Sequence, residues 1–142
     1  MDITVKNLQS KFPIPQKKII QKVGVGAGHV PASNNRATSR VAPTELSIVF
    51  VGAQRMRSIN KKYLGHDYVT EVITFNLDGV AEIIICPSVA SQNAKMHGAS
   101  LQNEILLYVI HGLLHLAGYD DHAPADLKRM RLKEKQLLGK LL

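Results

Sequence analysis

The sequence predicts an α+β (or α/β) domain in which a mixed four-stranded sheet packs against helices. Two patterns point there: the segments run strand, helix, strand, helix, strand, strand and then three helices, and Gly or Pro punctuates most of the junctions. The length agrees, since 142 residues fit a single domain, 1–142, with one core. No internal repeat is visible. At 45% hydrophobic residues the chain is ordinarily globular, and it nowhere reaches the ~20-residue apolar span of a membrane helix. The N-terminus MDITVKNLQS has no apolar stretch of the kind that directs secretion, so a cytoplasmic protein with no membrane partner is expected.

Ile3 and Val5 alternate with Thr4 and Lys6, the pattern of a short edge strand. Pro13 and Pro15 introduce a short amphipathic helix with Ile19, Ile20 and Val23 on its apolar side, which Gly24 is expected to stop. Residues 24–43 are rich in Gly, Ser, Asn and Arg without periodicity and read as a long flexible loop. Gly24, Gly26 and Gly28 do not make a dinucleotide-binding loop, because the place of the next required glycine is His29 and no strand leads in. Arg36 and Arg40 in this stretch are candidate phosphate contacts, although solvated charge is the commoner role.

Residues 46–51 form a continuous β-prone apolar run, as expected of a central strand covered on both faces. Residues 53–63 read as a surface helix with Met56, Ile59 and Tyr63 buried and Arg55, Arg57, Lys61 and Lys62 elsewhere. Residues 64–67 turn, 72–75 and 82–85 are strands, and Asp78–Gly79 can reverse the chain between them into a hairpin. The single cysteine, Cys86, cannot form an intramolecular disulfide and reads as a small buried apolar residue in a reducing compartment. Pro87 opens a helix to His97, closed by Gly98. Pro124 starts a final helix through Leu138 with Leu127, Met130, Leu137, Leu138 and Leu141 inward, while Lys128, Arg129, Arg131, Lys133 and Lys135 make it basic.

Between those two helices lies the stretch with chemistry in it. Ser100 can cap a helix whose run 105–117 is apolar except along one stripe. At about 100° per residue, Glu104, Tyr108, His111 and His115 fall within a narrow arc. Imidazoles at i and i+4 can hold one transition-metal ion, and Gly118 lets the chain fold back to present Tyr119, Asp120, Asp121 and His122. An isolated HxxxH pair is a weak signal, but the pair with a glycine turn, carboxylates and another His favours metal. Gly112 stands where zinc peptidases of the H-E-x-x-H type have their general base, which argues against peptidase chemistry. Three protein ligands would leave a fourth position open, as catalytic zinc sites do.

The block HGLLHLAGYDDH (111–122) resembles the H-G-x-L-H-L-x-G-Y-D-H signature of the YbeY family, bacterial endoribonucleases of ribosomal RNA maturation. INKKYLGHDYVTEVITF (59–75) is similar to the family's Asn-x-x-Tyr-Arg-x-x-Asp-x-x-Thr-Asp-Val-Leu-Ser-Phe segment, and AEIIICPSVASQNAKMHG (81–98) to its Gly-Asp-Ile-x-Ile-Cys strand and following helix. The resemblance implies a metal-dependent (zinc) endoribonuclease that prefers single strands, with one Zn2+ per chain, ribosomal RNA or its precursor as substrate and the ribosome as partner. It departs at two places. The family's third His lies six residues after the second, whereas here Asp121 is at six and His122 at seven, so either completes the site with His111 and His115; spacing favours Asp121. The family Arg after the Tyr is Leu64 here, leaving Lys61, Lys62 or His66 to stand in for it.

His111, His115 and Asp120 are thus the expected catalytic residues, with Asp120 orienting water or a His Nδ1–H unless it serves only the turn. A net charge of +7 and a pI of 9.7 suit a polyanionic partner, with Arg55, Arg57, Lys61, Lys62 and His66 as candidate RNA contacts. Two other readings stand beside the nuclease: a ribosome-assembly or RNA-binding factor with a structural metal, and, more weakly, a zinc peptidase. The sequence sets no oligomeric state.

Overall fold

In chain order the elements are β1 (Asp2–Asn7), α1 (Gln16–His29), β2 (Glu45–Phe50), α2 (Ala53–Leu64), β3 (Val72–Leu77), β4 (Val80–Ile85), α3 (Pro87–His97), α4 (Leu101–Leu116) and α5 (Pro124–Leu141). They come from a computed structural model that describes residues 1–29 and 43–142. The four strands lie in the order β1-β2-β4-β3, with β1, β2 and β4 parallel and β3 antiparallel to β4. The sheet is therefore mixed, as expected, and the single antiparallel pair is the expected hairpin. Its reversal uses Asp78 at φ 52° and Gly79 at φ 92°, and the Gly79 N–H donates to Asn76 Oδ1 at 3.1 Å.

Alternation along the strands divides the core. Leu46, Ile48 and Phe50 of β2 and Ala81, Ile83 and Ile85 of β4 face Ile105, Val109 and Leu113 of α4 and Ile19 and Val23 of α1. Val49, Ile73 and Ile84 face the other way, against Met56 of α2, and buried Cys86 lies in that cluster. On its far side α4 packs Ile110 and Leu114 against Met130, Leu137 and Leu141 of α5. So α4 is sandwiched between the sheet and α5, which is why its sequence is apolar nearly all round. Among the described residues no helix is long and apolar enough to cross a membrane.

Several local expectations change. Gly24 does not stop α1, which continues to His29. A Cβ at Gly26 would lie 3.2 Å from Leu141 Cδ1, and Lys22 Nζ donates to the Leu141 carbonyl at 2.8 Å, so closeness to α5 keeps this glycine-rich turn helical against its low propensity. Residues 30–42 of the expected loop, with Arg36 and Arg40, lie outside the described residues. Tyr63 is exposed, touching Phe75 edge-on from the last turn of α2 instead of entering the buried stripe, and Leu127 is also exposed on α5. β4 begins two residues earlier than the sequence suggests, and α5 extends to Leu141.

Gly112 sets how closely α4 approaches the sheet. A Cβ there would lie 2.7 Å from Ile83 Cδ1 and 3.0 Å from both Ile83 Cγ1 and Thr74 Oγ1. Ile83 is wholly buried, so its δ-methyl can swing aside only by displacing other core atoms. Alanine gains about 0.5–1 kcal/mol over glycine in a helix interior, whereas overpacking a core costs about 1–3 kcal/mol. Packing outweighs propensity, so Gly112→Ala should lower stability by about 1 kcal/mol in denaturant titration, an outcome reversed if the helix term prevailed.

Candidate metal centre

The turn after α4 is built by three local devices. Gly118, at φ 98°, takes the left-handed conformation that ends the helix, and the Tyr119 N–H returns to the Leu114 carbonyl at 3.0 Å. The Tyr119 ring is buried against the cluster of Ile110, Leu114 and Met130, which holds the returning chain down on α4. Asp120 Oδ1 then accepts from the backbone N–H groups of Asp121, at 2.7 Å, and His122, at 3.2 Å. Those bonds, the Asp121 N–H foremost, hold the Asp120 carboxyl below its usual pKa. They also turn the Asp121 side chain back towards the helix.

Three donor atoms converge as a result. His111 Nε2 and His115 Nε2 are 3.0 Å apart, and Asp121 Oδ2 lies 3.5 Å from the first and 3.4 Å from the second. A tetrahedral ion with bonds of about 2.0–2.1 Å separates its donors by about 3.4 Å, so the set fits a zinc-sized cation. Asp121 is therefore brought to the imidazoles, whereas His122 is not: its side chain is 90% exposed and its Nε2 lies beside Asp120 Oδ1 at 3.6 Å. Asp120, Asp121 and His122 form a second grouping of possible ligands, which shares Asp121 with the first and in which only His122 is exposed.

The opposite edges of the rings explain why the Nε2 atoms face inward. His111 Nδ1 lies 2.7 Å from Glu134 Oε1 of α5, and His115 Nδ1 lies 3.1 Å from the Tyr119 carbonyl. A carboxylate and a carbonyl can only accept, so each Nδ1 donates and each neutral ring turns its Nε2 lone pair towards the common point. Burial, reinforced by nearby His111, lowers the pKa of His115 and favours the neutral ligand form, against the opposing pull of Asp121. Glu134 is itself buried, with both oxygens held by Arg131 Nη1 at 3.2 and 3.0 Å.

Glu134 takes the His-orienting role that the sequence had offered to Asp120, while the observed bonds of Asp120 are those of the turn. A signal for it exists. Glu134 interrupts the apolar stripe Met130, Leu137, Leu141, and an acid on a buried stripe needs a partner.

The upper part of the expected stripe does not join the cluster. Glu104 pairs with His97 Nδ1 at 2.9 Å, and the Tyr108 hydroxyl accepts from Asn93 Nδ2 at 2.7 Å. Burial pushes the Tyr108 phenol pKa far up, so it stays protonated. Gly112 faces β3 and β4, where a glutamate would not fit, so position 112 supplies no base. Of the basic candidates on and after α2, Arg57 Nε holds Asp67 Oδ1 at 2.7 Å with Lys61 at 4.0 Å from the other oxygen, and His66 stacks on Tyr68. Arg55 and Lys62 are exposed on the same helix.

A family model described as Endoribonuclease YbeY matches residues 4–142. Among curated proteins described as Endoribonuclease YbeY, one from Chlorobium luteolum is 39% identical over 103 residues, covering 68% of this chain and 74% of that protein. Another, from Elusimicrobium minutum, is 39% identical over 95 residues, covering 61% and 66%. One from Thermodesulfovibrio yellowstonii is 28% identical over 156 residues, covering 99% and 98%. A protein of Thermotoga maritima solved in solution superposes with a TM-score of 0.61 at 27% identity, over 98% of this chain and 88% of that one.

The hydrogen-bond pattern sets two expectations for zinc titration. Glu134→Gln keeps the shape but removes the charge behind His111, so affinity should fall about 10–100-fold, and unchanged affinity would dissociate Glu134 from the site. Asp121→Ala should weaken zinc binding severely while His122→Ala leaves it as it was; the reverse order would make His122 the third ligand.

Proposed function

The chain belongs to the YbeY endoribonuclease family, and from that premise we propose that it is a zinc-dependent endoribonuclease that cuts single-stranded segments of ribosomal RNA or its precursors during ribosome maturation in the cytoplasm. The observation that carries the reading is the convergence of His111, His115 and Asp121, whose side chains are 17%, 26% and 27% exposed. Donors reachable from solvent suit a site with an open coordination position better than a closed structural site.

His111, His115 and Asp121 would hold the ion. When bound, it supplies Lewis acidity and neutralises charge that develops on a phosphodiester. The chain's own groups do the rest. Glu134, anchored by Arg131, and the Tyr119 carbonyl retain the Nδ1 protons and fix both rings. Asp120 holds the turn that aims Asp121 inward. The positive charge of the chain, +7 overall, raises the local concentration of a polyanion such as RNA.

The test compares the zinc-loaded chain with its His111→Ala/His115→Ala version on single-stranded RNA and on a duplex of the same sequence. The expected result is cleavage of the single strand alone, absent from the variant and lost on chelation while the circular dichroism spectrum of the fold persists. Equal cleavage by the variant would overturn the nuclease reading. Unfolding on chelation would make the metal structural. For the ribosomal role, precursors should accumulate in cells lacking the protein and be cleared by the wild-type chain but not by the double variant.

A further inference from the structure

Away from the metal cluster, the end of α2 and the loop at residues 65–71 leave large rings uncovered: Tyr63 is 59% and Tyr68 54% exposed, with Leu64 and Val69 beside them. These rings sit on a rigid support. Gly65 ends α2 at φ 70°, the His66 N–H returns to the Asn60 carbonyl at 3.3 Å, and the buried Asn60 donates through Nδ2 to the Tyr68 carbonyl at 3.0 Å. Asp67, between them, is tied to Arg57. The loop is therefore pinned at consecutive residues although its side chains face solvent.

Two of the rings lie in nearly parallel planes. His66 and Tyr68 stack with centroids 5.3 Å apart and planes within 11°, and Tyr68 Oη lies 3.2 Å from His66 Nδ1. Lys62 Nζ sits 5.2 Å from the Tyr63 ring centre. Of the two acids in the loop, Asp67 is offset by Arg57 and Lys61 and Glu71 accepts from Asn93, while Arg55 and Lys62 add exposed positive charge on α2. Flat, preorganised aromatic faces next to a basic helix match a chain of phosphates bearing unpaired bases, because every base has a π-face and a duplex hides it.

We propose that the His66–Tyr68 stack is a platform on which unpaired bases of the RNA substrate stack; this rests on the nuclease reading above for its choice of nucleic acid. The loop connects to the metal helix, since Glu71 at its end accepts from Asn93 Nδ2 at 3.2 Å and the same amide donates to Tyr108, one turn before His111. A strand held on the platform is thereby tethered to the element that carries the imidazoles. The platform offers a physical basis for preferring single strands that the metal cluster alone does not provide.

The experiment measures binding of the full chain, by fluorescence anisotropy, to a labelled 2′-O-methyl oligoadenylate, to an abasic strand of the same length and to a duplex. Tyr68→Ala should weaken binding of the oligoadenylate about 5- to 150-fold while leaving the abasic strand and the duplex unaffected. Tyr68→Phe, which keeps the ring face, should bind like the wild type. Equal losses for oligoadenylate and abasic strand, no loss for either, or a change of oligomeric state in place of a change in RNA binding would each overturn the proposal, the last by making the rings a contact between copies of the chain. Ring-dependent binding would support the platform even if the wild-type chain cut no RNA. Cleavage without such binding would remove the platform and leave the nuclease standing.

Discussion

The bond between His111 Nδ1 and the buried Glu134 carboxylate is the contact on which the rest of the site depends. An unpaired carboxylate at that depth would cost several kcal/mol, so Glu134 is tolerable on the inner stripe of α5 because His111 and Arg131 occupy its oxygens. The same bond fixes which nitrogen of His111 faces outward from α5. One pairing thus joins the packing of two helices to the direction of the His111 Nε2 lone pair, and either α5 or α4 shifted along its axis would lose both.

Gly112 is the matching constraint on the other side of α4. Lying against Ile83 and Thr74, it sets the depth to which the helix sinks on the sheet, and His111 next to it is placed by that depth. The absence of a carboxylate at this position is therefore a packing requirement as well as a chemical difference from zinc peptidases. The ring edges that face away from the cluster are held by groups that only accept hydrogen bonds. Two Nε2 lone pairs brought to 3.0 Å repel one another unless a proton or a cation lies between them, and the nearby Asp121 oxygen adds negative charge to the same point.

What could be read from the sequence follows from what is local. The i, i+4 spacing of the imidazoles, the Ser100 cap and the Gly118 reversal depend on residues within one or two helical turns, and the structure has them where the sequence places them. The mixed sheet was legible from the order of segments and the hairpin turn. The partner of His111 was not, because Glu134 is 23 residues further on and meets it only through the packing of α5 on α4. Gly24 misled for a related reason: its low helix propensity is overridden by contacts that α1 makes with α5. Tyr63 follows the period of the buried stripe on α2, yet in the last turn it stays exposed, meeting the Phe75 ring edge-to-face. The choice between Asp121 and His122 turned on a single extra residue, and the Asp120 turn, not spacing alone, directs Asp121 inward.

The central claim is that one ion is shared by His111, His115 and Asp121. X-ray absorption at the zinc edge of the loaded chain, repeated on Asp121→Ala, tests it most directly. The account predicts two imidazoles and at least one oxygen at about 2.0–2.2 Å, with outer-shell scattering from both rings and a change in the oxygen shell in the variant. A first shell without histidine, or a spectrum identical in the two proteins, would contradict it.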